Sequence, residues 1–333
     1  MKQYSTLKEI SERLGISIST VSRALKDHPD ISPETTQRVK DAAKLMDYQP
    51  NSFAVRMRTN QSKILGVVVP SITNLFYESF IAAIEEEAKK NAYSLIILQS
   101  GEEDTDAEIK NLEIMKNNRV DGLFVSITCN TKDVEYFKKV EDLGIPVIFA
   151  DHVPEHDACN KVRFNDEEAA ALAAKAIIAK KKKKVLALFF NSEKVSVSRI
   201  RLKIFKETFR SLSPKTKLEV KFQNGIDDAF EIVKKALQRK DRPDTIFCAG
   251  DHTLIGTMMA IQNTNLKIPQ DIAIITMSNG LIPHLYKPVI TYVKTNGGDL
   301  GKLAFSRLFE IFKGKNFSRE YLLPVELVKG NSL

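Results

Sequence analysis

A chain of 333 residues exceeds one typical domain, and 43% apolar residues are enough to bury sizeable cores. No apolar run approaches the ~18 residues a membrane helix needs, and Met1-Lys2-Gln3-Tyr4-Ser5 leads into no apolar stretch, so neither membrane insertion nor secretion is expected. The formal charge of +8, with ten Lys or Arg against seven Asp or Glu in residues 1–60, suits phosphate contacts without proving them.

Thr6 and Glu9 have the spacing of a capping box, Leu7, Ile10 and Leu14 share a helical face, and Gly15 offers a left-handed stop. Ser17 then caps a second helix over Ile18 to Leu25, with Val21, Ala24 and Leu25 facing inward and Ser19, Ser22 and Arg23 outward. Helices this close in sequence must cross sharply. Ser32 and Pro33 open a third, whose buried stripe is Val39, Ala42, Ala43 and Met46. Residues 51–60 have room for one short helix, and isolated helices below ~12 residues are marginal in water, so its folding is expected to be coupled to binding.

From Ile64 onward short apolar runs alternate with amphipathic helices: Ile64 to Val69, Leu95 to Leu98, Gly122 to Val125, Val147 to Ala150, Val185 to Phe190, Ile246 to Cys248 and Ile272 to Met277. Such alternation predicts parallel sheets wrapped by helices. The lysine run 180–184 falls between a helix and a strand and reads as a solvated turn. Cys129, Cys159 and Cys248 are odd in number and far apart, which argues for reduced thiols and against a disulfide or zinc site.

The segment Ile16 to Leu25, then Tyr48-Gln49-Pro50-Asn51 with Ala54, then Ile64 to Pro70, resembles the lactose/galactose repressor family, and the likeness runs through nearly the whole chain. It implies an all-α helix-turn-helix domain over residues 1–50, a hinge helix over 51–60, and a sensor over 61–333. The sensor would be an α/β, two-lobed body with parallel sheets, like periplasmic sugar-binding proteins. Its lobes would span about 61–160 with 292–321 and about 161–291 with 322–333, with crossings near Asn160, Thr291 and Leu322. The implied function is repression of carbohydrate-utilisation genes in the bacterial cytoplasm, at the nucleoid, under a small sugar-like effector. A homodimer is expected, because a palindromic operator mirrors twofold symmetry and no heptad-patterned tail follows the apolar segment Tyr321 to Val328.

By the family's geometry the second helix lies in the major groove, with Ile18, Ser19 and Arg23 at base edges and Ser17, Thr20 and Ser22 on phosphates. Thr6, Asn51 and Ala54 join them on the DNA side, and Met57 stands where members wedge an apolar side chain, usually leucine, into the minor groove.

Ligands of open parallel sheets sit beyond the strands' carboxyl ends, which directs attention to the loops after strands. Asn74, Phe76 and Tyr77 match a family loop whose aromatic faces pack on a sugar ring, and Arg201 matches an arginine that forks onto hydroxyls or carboxylates. Two departures follow. Gly250-Asp251 replaces the common Asn-Asp, and Ser278 stands where a carboxylate is usual. Losing an acceptor while keeping Arg201 favours an acidic sugar over a neutral one. The alternative is a DNA-binding regulator whose sensor takes a protein partner or a non-sugar ligand. No GxxxxGK[ST], GxGxxG, HExxH or GxSxG motif is present, so no enzyme, cofactor or metal is expected.

Overall fold

A computed structural model describes residues 5–48, 61–190, 196–315 and 319–333. The chain divides into two compact units, Met1–Ser62 and Lys63–Leu333.

The first unit holds α1 (Leu7–Leu14), α2 (Ile18–Ala24) and α3 (Pro33–Leu45). Local chemistry fixes each boundary. The Thr6 hydroxyl accepts the Glu9 amide at 3.2 Å while the Glu9 carboxylate accepts the Thr6 amide at 2.7 Å, and Gly15 ends α1 with φ +66°. Ser17 accepts the Thr20 amide at 3.1 Å, and Ser32 the Thr35 amide at 3.2 Å, with Pro33 in the first turn. Ile10, Val21, Ala24 and Val39 are fully buried between the three helices, with Ala42 and Ala43 beside them.

In the second unit β1 (Ile64–Val69), β2 (Ser94–Gln99), β3 (Gly122–Val125), β4 (Val147–Ala150), β5 (Asn160–Phe164) and β11 (Glu320–Leu323) form one sheet in the order β11-β5-β4-β3-β1-β2, parallel throughout. A second sheet takes β6 (Lys184–Phe190), β7 (Lys217–Gln223), β8 (Thr245–Cys248), β9 (Ala273–Ser278), β10 (Thr291–Lys294) and β12 (Glu326–Val328) in the order β12-β10-β9-β8-β6-β7. It is parallel except at β10–β12.

Helices cover both faces of each sheet, which is why the inner strands read as unbroken apolar runs. On the first, α4 (Leu75–Lys90) and α11 (Gly297–Phe312) bury Phe80, Ile84 and Leu308, while α5 (Thr105–Asn117) and α6 (Glu135–Glu141) bury Met115 and Phe137 on the opposite face. On the second, α7 (Asp166–Ala179) and α8 (Ser196–Leu212) bury Ala173 and Phe205. Opposite them, α9 (Ile226–Leu237) and α10 (Asp251–Gln262) bury Val233 and Leu254. The last two helices touch at Gly256, where a Cβ would lie 2.2 Å from the Ile226 carbonyl oxygen.

The chain leaves the first sheet after Phe164, returns to it after Lys294 and leaves again after Leu323. Asn160, Thr291 and Leu322, where crossings were expected, are strand residues a few positions earlier. At the first of them, Lys161 and Arg163 of β5 break the apolar run that marks the other inner strands. The Asn165 amide donates to the Leu323 carbonyl at 3.0 Å, joining two of the crossing segments. Among the described residues no helix is long and apolar enough to cross a membrane, and no disulfide joins the cysteines. The lysine run lies at the turn from α7 into β6, largely exposed.

Candidate functional site: a recognition helix and an interlobe cavity

On α2 the residues that the core does not use form a continuous polar face. Ser17, Ser19 and Arg23 are exposed, and so is Ile18, at 47%. The Ser17 hydroxyl lies 2.7 Å from that of Ser19 and 2.8 Å from that of Thr20, so three hydroxyls meet where α2 begins. Ser22 is half-buried. Arg23 makes one loose ion pair, 3.9 Å to Asp30, with its side chain 57% exposed. Such a pair contributes about 1 kcal/mol at most and yields readily to a phosphate or a base. Thr6 spends its hydroxyl on the capping box. Asn51, Ala54 and Met57 lie outside the described residues.

Asn74, Phe76, Tyr77, Arg201, Asp251 and Ser278 line one cavity of about 140 Å³ between the two lobes. Each stands at or near the carboxyl end of a strand or in the helix that follows: Asn74, Phe76 and Tyr77 after β1, Arg201 in α8 after β6, Asp251 after β8, and Ser278 ending β9. A broader hollow of about 820 Å³ beside it, lined by residues 127–135, His152 to His156, Ser196 and Arg199, gathers none of the six.

The geometry gives several of them supporting duties. The Asn74 side chain caps α4, accepting the Phe76 amide at 2.9 Å. Tyr77 is buried, with its hydroxyl 2.9 Å from that of Ser126, and it donates to Asp151 at 2.9 Å. Burial, with Asp151 and Glu102 nearby, holds the Tyr77 phenol well above its usual range. Phe76 meets Tyr77 edge-on with ring centroids 5.3 Å apart. Asp251 accepts from the Ser278 hydroxyl and, at 2.9 Å, from the Asn279 amide, while burial still pushes its pKa up. Ser278 therefore does not leave the wall without a carboxylate. It orients the one beside it.

The acidic-sugar expectation does not fit this wall. Arg201 Nε donates to Asp166 at 2.7 Å, and that carboxylate has only 2% of its side chain exposed, so the arginine's charge is already matched. Glu102, Asp151 and Asp251 line the same cavity, and an anionic ligand would enter against three carboxylates. Glu102, Asp151 and Asp166 were missed in the sequence, as was His152, whose Nε2 lies 3.6 Å from Asp151. Asp151 and His152 directly follow β4, so the rule that loops after strands matter would have found them. Glu102-Glu103-Asp104 looks like a solvated turn, and nothing local marks its first member as inward-facing.

Asn279 ties this wall to the other lobe. Its side-chain oxygen accepts from Ser79 at 3.1 Å and from the Gly297 amide at 2.8 Å, and its side-chain nitrogen donates to the Leu75 carbonyl at 3.3 Å.

Comparison with known proteins agrees with both halves. Residues 65–316 match the periplasmic binding protein domain, and residues 6–51 match bacterial regulatory proteins of the lacI family. The chain is 27% identical over 323 residues to the HTH-type transcriptional repressor PurR of Mannheimia succiniciproducens, covering 95% of this chain and 94% of that protein. It is 26% identical over 306 residues to catabolite control protein A of Priestia megaterium, covering 91% of each. The fold matches that of a lac repressor dimer bound to operator and the anti-inducer ONPF with a TM-score of 0.87, at 23% identity and over 99% of each chain. With a lacI-type helix-turn-helix followed by a two-lobed periplasmic-binding-protein domain, the chain belongs to the lacI family of bacterial regulatory proteins, and is a DNA-binding transcriptional repressor and not an enzyme.

Proposed function

We propose that the chain is a homodimeric repressor that reads a palindromic operator with α2 in the cytoplasm, at the nucleoid, and that a small polyhydroxylated effector in the interlobe cavity changes its grip. Carbohydrate-utilisation genes fit such an effector. The observation that carries the reading is the pairing of an exposed, hydroxyl-rich helix after a tight turn with a carboxylate-lined cavity at the carboxyl ends of two parallel sheets. Exposed Met259, Leu281 and Leu285 on the second lobe and Ile97 and Ile114 on the first supply apolar surface for self-association.

A ligand bonded to Asp251 acts on a carboxylate that Ser278 and Asn279 already hold, and Asn279 reaches Leu75, Ser79 and Gly297 in the other lobe. Ligand contact and lobe geometry thus share one hydrogen-bond chain. Coupling must be reciprocal: whatever factor the effector applies to operator affinity, operator DNA applies to effector affinity.

The test follows operator occupancy by the full chain while pools of small polar metabolites are added. At least one compound is expected to shift operator affinity several-fold, and the shift should vanish in Ala249→Phe, which fills the cavity wall while leaving α2 untouched. The melting temperature of that variant checks its folding. A compound that works equally well on the filled cavity contradicts the reading, and so does the absence of any active compound.

A further inference from the structure

We propose that the effector carries a positively charged nitrogen, an amine on a polyhydroxylated frame, and that Glu102 selects it; this rests on the reading of the interlobe cavity as the effector site. The argument is one of unmatched charge. Arg201, the one arginine or lysine among the described residues of the cavity wall, is matched to Asp166 at 2.7 Å. Arg163, 3.8 Å from Asp166, is matched elsewhere, at 2.9 Å to Glu320 and 3.3 Å to Glu167. Glu102, Asp151 and Asp251 are left, with the histidines His152 and His252 as the remaining titratable neighbours on the wall besides Tyr77.

The three carboxylates differ in what they lack. Asp251 accepts from Ser278 and Asn279, and Asp151 accepts from Tyr77. No described residue donates to the Glu102 side chain, although its backbone is fixed, its carbonyl accepting the Cys129 amide at 2.9 Å. Burial and the nearby Asp151 raise its pKa, opposed by His152. A carboxylate partly stripped of water and given no donor gains most from a charged one, because charge-assisted hydrogen bonds are roughly twice as strong as neutral ones. An ammonium reaching Glu102 also lies near Asp151. Hydroxyls of the same molecule suit Asp251 and the Nη groups of Arg201, which meet no acceptor among the described residues.

Matched triplets test this: glucosamine, galactosamine and mannosamine, each against its neutral hexose and its hexuronate, titrated calorimetrically into the full chain. Within the scaffold that binds, the amine is expected to bind at least tenfold more tightly than the neutral sugar, and the uronate most weakly. Glu102→Gln keeps the shape and removes the charge, so it should erase the preference for the amine over the neutral sugar. Glu103→Gln, at the exposed neighbour, should leave the preference intact, and melting temperatures without ligand report whether each variant folds. Preference for a neutral sugar or uronate overturns the proposal, as does a preference that survives Glu102→Gln or a failure of every amine to bind. If neutral sugars bind and amines do not, the effector site stands and the charge selection falls. If no sugar binds and no metabolite shifts operator affinity, both fall.

Discussion

Arg201→Ala is expected to cost about 3 to 5 kcal/mol of stability in the sensor, because it leaves a buried charge without its partner. Asp166 has 2% of its side chain exposed and, among the described residues, takes its only hydrogen bond from a charged group at Arg201 Nε, 2.7 Å away. Arg163 stands 3.8 Å off with its charge shared between Glu167 and Glu320, so it softens the loss without removing it. Asp166→Asn in the same chain should recover most of the stability, since the stranded carboxylate is then gone. The pH dependence has a definite sign. Burial raises the Asp166 pKa in the folded chain, so folding takes up protons at this group; its contribution is fully present below the unfolded value and falls as pH rises through the folded one. Without Arg201 that pKa rises further, so the deficit of the variant should grow from acid to neutral pH. Urea unfolding at several pH values measures it, and a loss below about 1 kcal/mol at neutral pH would mean that the pair is not the buried contact described.

Arg23→Ala should cost about 1 to 3 kcal/mol on the cognate operator and relax specificity, because arginine is the sharpest reader of guanine and Arg23 is the one long, charged side chain on α2. Its exposed pair with Asp30 offers little competition. Thr20 is different. Its hydroxyl sits in the Ser17 cluster at the start of the helix, so Thr20→Ala should weaken all sequences alike. Competition binding with specific and random DNA separates the two. Indistinguishable losses on both DNAs would remove Arg23 from base reading.

Much of this architecture was legible because local rules and tertiary packing agree. The caps at Thr6, Ser17 and Ser32 and the stop at Gly15 are residue-level signals, and the small helical core needs the same apolar positions that periodicity picks out. Strands buried on both faces, such as β3 and β4, announce themselves as apolar runs. Edge strand β7 does not, since Lys217, Glu219 and Lys221 alternate along it, and β5 hides behind Lys161 and Arg163. Motif positions brought six residues to one cavity, yet no motif carries information about pairing. That Arg201 is spent on Asp166, and that Glu102 turns inward, follows from how segments distant in sequence meet. The proposed charge class of the ligand rests on those two facts.

Selection from a random duplex library with the full chain tests the central claim most directly. Bound sequences should converge on one site with twofold symmetry, its half-sites sharing a guanine that Arg23→Ala no longer requires. Convergence on an asymmetric site, no convergence at all, or the same site recovered unchanged with Arg23→Ala would contradict a dimer that reads its operator through α2.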